Sequence, residues 1–196
     1  MLWNSLSYPW QTAVSLAWEA YCAGSLPIGA VIVAGDGRIV AQGRNSIQEA
    51  ESPTPLHGSR LAHAEMNALV ALGQSGVETK SCTLYSTMEP CVMCMGAIRM
   101  MRLGAVHFAG HDPFAGGACL VETAPYQAFG PLPVYYLEND ALADLLLVLM
   151  VEAMLRTGRG SWVEFVATAV PQSSTTIELR ATTGAKASIV SSLTVT

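Results

Sequence analysis

The chain has 196 residues, 51% of them hydrophobic, which is enough to fill one domain-sized core. A formal charge of −5 and only two lysines, Lys80 and Lys186, argue against the Lys and Arg stripe of a polyanion-binding protein, although a local patch can hide in an acidic total. The most hydrophobic stretch, Leu142 to Leu155, carries Asp144 and Glu152 and falls short of the roughly 20 apolar residues of a membrane span; Met1 to Ser7 lacks the basic residues and cleavage site of an export signal.

From the amino terminus, Val14, Ala17, Trp18 and Tyr21 recur at three- and four-residue spacing and predict an amphipathic helix over Trp10–Cys22, ended by Gly24 and Pro27. Ile28–Ala34 is a β-branched run, Gly35-Asp36-Gly37 a turn, and Arg38–Arg44 the returning strand of a hairpin. Glu49–Arg60 has prolines, Ser, Thr and Gly without an apolar period, so it is a surface loop that delivers the chain to His63. His63 and Glu65 lie in the first turn of a helix of strong helix formers that ends at Gly73. Cys82–Thr87 reads as a strand; Pro90 stands where helices begin, and a helix from Cys91 to about Met101 follows, with Arg99 and Arg102 on a solvated face. Ala105–Ala109 is a strand, a Gly-rich loop runs through Gly117, Val134–Leu137 is a further strand, and Asp140–Arg156 is a long buried helix. Strands alternating with helices predict an α/β sheet covered on both faces.

Within this order stand one imidazole, two thiolates and one carboxylate: His63-Ala64-Glu65 and, after a gap, Pro90-Cys91-Val92-Met93-Cys94. Structural zinc is closed by four protein ligands, whereas hydrolytic zinc keeps three and leaves one position for water; three good ligands are present here. Cys91 and Cys94, three apart on one helix, share a face, and the positive end of the helix dipole favours their thiolates. Two thiolates cancel the charge of Zn²⁺, so its Lewis acidity acts on bound water, whose pKa falls from about 15.7 toward about 7. Glu65 points away from the imidazole two residues before it, and suits a proton carrier better than a fourth ligand. Removing an amino group from an aromatic ring by hydrolysis needs such a carrier for the ring nitrogen and for the departing ammonia. In a closed structural module His57 or Cys82 would have to be the fourth ligand, neither has motif spacing, and Glu65 would have no task. The remaining cysteines, Cys22, Cys82 and Cys119, read as small buried hydrophobes, and thiolates kept for metal imply a reducing compartment, the cytoplasm.

H-x-E followed by P-C-x-x-C is the signature of zinc nucleobase deaminases, and the chain resembles the cytidine/deoxycytidylate deaminase superfamily. Thr87–Ile98 and His63–Leu69 look most like the branch of bacterial tRNA adenosine deaminases and guanine deaminases, with the likeness running from about Trp10 to Arg156. The resemblance implies a three-layer α/β/α cytidine-deaminase-like fold with a five-stranded mixed sheet, spanning residues 1–160. It further implies one Zn²⁺ per subunit on His63, Cys91 and Cys94, catalysis by Glu65, and a homodimer. It also implies that the Asn45 side chain and the Ala64 backbone N–H contact the base; a turn residue is the alternative for Asn45 on turn chemistry alone. His111, Asp112 and Phe114 fall in the loop after the fourth strand, where relatives place the pocket mouth and where Phe114 can stack on a base; an ordinary exposed loop is the alternative.

The expected activity is zinc-dependent hydrolytic deamination of a nucleobase, nucleoside or related small aminated heterocycle, releasing ammonia. The tRNA-acting relatives carry a basic, aromatic C-terminal helix, whereas Leu145–Leu155 is apolar, so a small substrate is preferred. Adenosine-to-inosine editing of tRNA, kept open by Arg156 and Arg159, is the alternative, and an inactive deaminase-like zinc-binding protein the second. His57 reads as a solvated loop residue and His107 as a structural strand residue. Ser161–Thr196 lies outside the likeness; Ile177–Ala181 and Ala187–Val195 alternate enough to form a hairpin, with a partly ordered tail as the alternative.

Overall fold

A computed structural model describes residues 2–158, and the hairpin expected within residues 177–195 lies outside the described residues. The elements are α1 (Leu2–Ser5), α2 (Tyr8–Cys22), β1 (Gly29–Val33), β2 (Ile39–Arg44), α3 (Ala64–Gly73), β3 (Thr83–Met88), α4 (Val92–Met100), β4 (Ala105–Gly110), α5 (Ala124–Gln127), β5 (Val134–Tyr136) and α6 (Asp140–Arg156). They form a five-stranded mixed sheet of order β2-β1-β3-β4-β5. The hairpin β1/β2 and the pair β1/β3 are antiparallel; β3/β4 and β4/β5 are parallel, joined by crossovers through α4 and through the segment carrying α5.

The alternation of β1 sorts the layers. Val31 and Val33 pack against Ala13 and Leu16 of α2, while Ala30 and Ile32 join the main core with Ala64, Ala68, Leu69 and Leu72 of α3 and Met95 and Ile98 of α4. Leu142 and Leu146 of α6 meet Trp10 and Ala109 on the α2 side. Helices therefore cover both faces. No helix among the described residues is long and apolar enough to cross a membrane.

Three expectations change. The buried stripe of α2 runs through Trp10, Ala13, Leu16, Ala17 and Ala20, while Trp18 is 53% exposed. Small residues win that face because α2 lies directly on β1: a Cβ on Gly29 would stand 2.1 Å from the Ala13 carbonyl oxygen. Arg99 is not on a solvated face. It is buried, and its guanidinium donates to the backbone carbonyls of Tyr126, Gly130 and Pro131, tying α4 to the segment that leads into β5. Of the three spare cysteines only Cys82 is buried; Cys22, the last residue of α2, and Cys119, in a short helical turn that buries no residue, are exposed.

The sheet directions decide where side chains converge. β1 runs opposite to β2 and β3, and β4 runs with β3, so the carboxyl ends of β2, β3 and β4 share one edge. Asn45, the Glu89–Cys91 segment and His111 follow those three ends. Strand-end loops of α/β sheets commonly form such crevices. The first turn of α3 reaches the same edge by lying on β2: a Cβ on Gly43 would stand 2.4 Å from the Ala64 oxygen and 2.5 Å from the Ala68 nitrogen.

Candidate active site

His63 is the N-cap of α3 and Cys91 the N-cap of α4, both with extended backbone, and Cys94 lies in the first turn of α4. Their donor atoms form a triangle: His63 Nδ1 is 3.6 Å from each sulfur, and the sulfurs are 3.6 Å apart. Bonds of about 2.3 Å to sulfur and about 2.0–2.1 Å to nitrogen, set at the tetrahedral angle, separate donors by about 3.5–3.8 Å. Three corners of a zinc tetrahedron are thus already assembled, and the two-sulfur, one-nitrogen donor set suits that ion.

The electrostatics of the triangle follow from its short contacts. The hydrogen bond between the Cys91 and Cys94 sulfurs, aided by His63, holds the Cys91 thiol down at about 4. The same bond, together with burial, pushes Cys94 up. The neighbouring Cys91 raises His63. His63, Cys91 and Cys94 would hold a metal cation only as the neutral imidazole and the thiolates, so binding would be coupled to release of the protons they share.

Glu65 lies in the first turn of α3, 2% exposed, with Oε2 3.5 Å from the Cys94 sulfur. Burial raises its carboxyl, and the Ser86 hydroxyl, donating to Oε1 at 2.8 Å, works against that. A buried carboxyl beside these donors is placed to take up and return protons.

Asn45 is fully buried just past β2. Its Oδ1 accepts from the Ile47 N–H at 3.2 Å, so it is a turn residue, yet Nδ2 has no partner among the described residues. Ala64 is buried at the first position of α3, where a backbone N–H has no helical partner. Asp112 is half-buried and close enough for its charge to raise His63; burial raises its own carboxyl. His111 is largely exposed, stacks on Tyr136 with centroids 4.4 Å apart and reaches Glu89 Oε2 with Nδ1 at 3.3 Å. Phe114 is 63% exposed on the same loop. His57 bonds locally to the Thr54 carbonyl, and His107 is stacked between Tyr85 and Tyr135 on the α2 side of the sheet.

Two contacts come from residues outside the four motif positions. Ser86 is an unremarked strand residue whose register alone aims it at Glu65. Glu89 directly precedes Pro90-Cys91, and an acid at that position was the one available hint.

A three-donor corner at two helix starts, backed by a buried acid on the carboxyl edge of a mixed sheet, has the make-up of a hydrolytic metal site. Residues 4–110, more than half of the chain, match the family model described as the cytidine and deoxycytidylate deaminase zinc-binding region, and the chain belongs to that family. It is 36% identical over 114 residues to the tRNA-specific adenosine deaminase of Aquifex aeolicus, covering 57% of this chain and 70% of that protein. It is 40% identical over 111 residues to the guanine deaminase of Bacillus subtilis, covering 54% and 65%. A solved tRNA:A34 deaminase, studied for A-to-I editing at the wobble position of transfer RNA, is 30% identical with a TM-score of 0.51, covering 66% of this chain and 96% of that one. The chain spans only 17% of another relative, the tRNA(Ile)-lysidine synthase of Deinococcus radiodurans, at 38% identity over 106 residues, 53% of this chain.

Proposed function

We propose that this protein is a zinc-dependent hydrolytic deaminase of a nucleobase, nucleoside or related small aminated heterocycle. The observation that carries the reading is the buried Glu65 carboxylate, held by Ser86 at 2.8 Å and standing 3.5 Å from a corner of the His63, Cys91 and Cys94 triangle. Those three residues would hold one zinc ion, which supplies Lewis acidity that makes water a nucleophile at neutral pH. Hydrolysis joins the water oxygen to the amidine carbon, and protons pass to the ring nitrogen and to the amine, which leaves as ammonia. Glu65 carries those protons. The unpartnered Asn45 amide N–H and the first-turn Ala64 N–H are donors for the acceptor edge of the ring, and Asp112, His111 and Phe114 border it.

The state of the cations favours a small substrate. Arg38 pairs with Asp36, Arg44 with Glu49 and Arg156 with Glu152, and Arg99 is buried among carbonyls. Arg44 and Arg99 are engaged inside the fold, and the more exposed Arg38 and Arg156 are each paired with an acid, so none of these four stands unpaired toward a phosphate backbone. Likeness to tRNA deaminases keeps adenosine-to-inosine editing as the second reading.

The catalytic unit is assigned to residues 1–160, in the cytoplasm, where its thiols stay reduced. Val92 and Met100, 57% and 69% exposed on α4, support a homodimer through that helix. The test is ammonia release by zinc-loaded protein from guanine, cytosine, adenosine and a tRNA anticodon stem-loop. Turnover of one small substrate with Glu65→Gln slowed by orders of magnitude at full zinc content supports the proposal. Turnover of the stem-loop alone selects the second reading, and a fully active Glu65→Gln overturns the proton-transfer assignment.

A further inference from the structure

We propose that Glu89 is a positioning residue for the reaction: its carboxylate locks the His111–Ala118 loop onto the Cys91 shoulder and thereby sets where His111 and Asp112 stand. The inference rests on the deaminase reading for its kinetic consequence, but not for its structural one.

The Glu89 side chain is 11% exposed and lies outside the metal triangle. A carboxylate buried to that degree needs several donors, and here they come from both ends of one loop. Ala118 N–H donates to Oε1 at 3.0 Å; Asp112 N–H and the His111 ring each reach Oε2 at 3.3 Å. The only ionic partner within salt-bridge distance among the described residues is His111 itself, so the carboxylate is committed to this loop. Gly116 leaves room for it: a Cβ there would stand 2.5 Å from the Glu89 carboxylate and equally close to the Asp112 carbonyl oxygen.

The loop is then stitched to the metal segment. Val92 N–H donates to the Ala115 carbonyl at 3.3 Å, Gly117 N–H donates to the Pro90 carbonyl at 2.9 Å, and Cys91 bridges Gly116. His111 is consequently held on three sides: by Glu89, by the Tyr136 face at 4.4 Å, and by the Phe108 ring edge-on at 5.1 Å. Phe108 pairs in register with Ser86, whose hydroxyl holds Glu65. The rim and the proton carrier thus rest on adjacent strands, and Glu89 fixes the rim without entering the chemistry.

Glu89→Gln tests this, since the amide keeps the volume but turns an N–H₂ toward backbone donors. Amide exchange followed by NMR should speed up at least tenfold at Asp112 and Ala118 while Gly29 and the strand amides hold. With whichever of guanine, cytosine or adenosine the wild type turns over, KM should rise at least tenfold, kcat should stay within threefold, and zinc content should be unchanged. Combining Glu89→Gln with His111→Ala should raise KM no further than the larger single effect. If Glu89→Gln fails to fold, Glu89→Asp, which draws the carboxylate back by one methylene, should give the same exchange and KM pattern. Unchanged exchange at both amides, or unchanged KM with the exchange altered, overturns the proposal. A wild type inert on all three compounds sinks the small-substrate reading instead, and the exchange arm alone then decides whether Glu89 anchors the loop.

Discussion

The Ser86 hydroxyl donates to Glu65 Oε1 at 2.8 Å, leaving Oε2 as the oxygen nearer the metal triangle. One oxygen is therefore an anchor and the other faces the Cys94 sulfur, where the proposed proton transfer would take place. Ser86→Ala removes the anchor without touching a metal-binding residue. We expect kcat to fall about tenfold or more, equivalent to about 1.4 kcal/mol in the barrier, with zinc content and KM nearly unchanged. Steady-state ammonia release and metal analysis check this, and a loss of zinc in place of kcat would assign Ser86 to the metal instead.

Cys94 is buried in the first turn of α4, whereas Cys119 is exposed and away from the triangle. Cys94→Ser should lower zinc affinity by more than about 100-fold, beyond what loss of an outer partner costs, and Cys119→Ser should leave it alone. Competition with a chelator measures both. Equal affinities in the two variants would exclude Cys94 as a ligand.

Gly43 sits where the backbone of α3 crosses β2, and an added methyl would meet backbone atoms at 2.4 and 2.5 Å. Backbone cannot yield as a flexible side chain does, so Gly43→Ala should destabilise the fold by about 3 kcal/mol. Gly73, at the end of α3, would meet only the Met101 side chain at 3.8 Å, and Gly73→Ala should be neutral or slightly stabilising. Urea unfolding of the two variants against wild type makes the comparison.

Arg44 and Glu49 bracket the turn that carries Asn45, with Arg44 Nη2 donating to Glu49 Oε2 at 2.8 Å and Nη1 donating to Oε1. Burial acts to raise the Glu49 carboxyl, but hydrogen bonds from Arg44, Ser52 and Ser25 and the Arg44 charge outweigh it and hold it below the usual range. A folded-state value below the unfolded one of about 4.3 means that the stabilisation is fully present above that pH and is lost as pH falls through the lowered value. Glu49→Gln should cost about 1–3 kcal/mol at pH 7, and the gap to wild type should narrow below about pH 4.3. Thermal melts from pH 7 down to about 2.5 check the sign, and a gap that widens toward acid refutes it.

The sequence by itself determined the order of elements and the two halves of the metal motif, because both depend on spacing within one helical turn. His63 and Glu65 in one segment, and Cys91 and Cys94 in another, each lie at a helix start whichever way the chain folds. The sequence likewise bounded the first hairpin, since alternation and turn residues act locally. Which faces were buried was less legible: Trp18 is exposed and Arg99 buried because the Ala13 to Ala20 stripe allows closer approach to Gly29, and because carbonyls from the segment before β5 receive a guanidinium. Only the tertiary structure brought Asn45, Cys91 and Asp112 to one edge, since that depends on β1 running against β2 and β3 and on β4 running with β3. It alone aimed Ser86 at Glu65 and Glu89 at both ends of the rim loop. A side chain's partner is set by strand register and by what the next layer places opposite it, and neither is encoded within the few residues that fix local conformation.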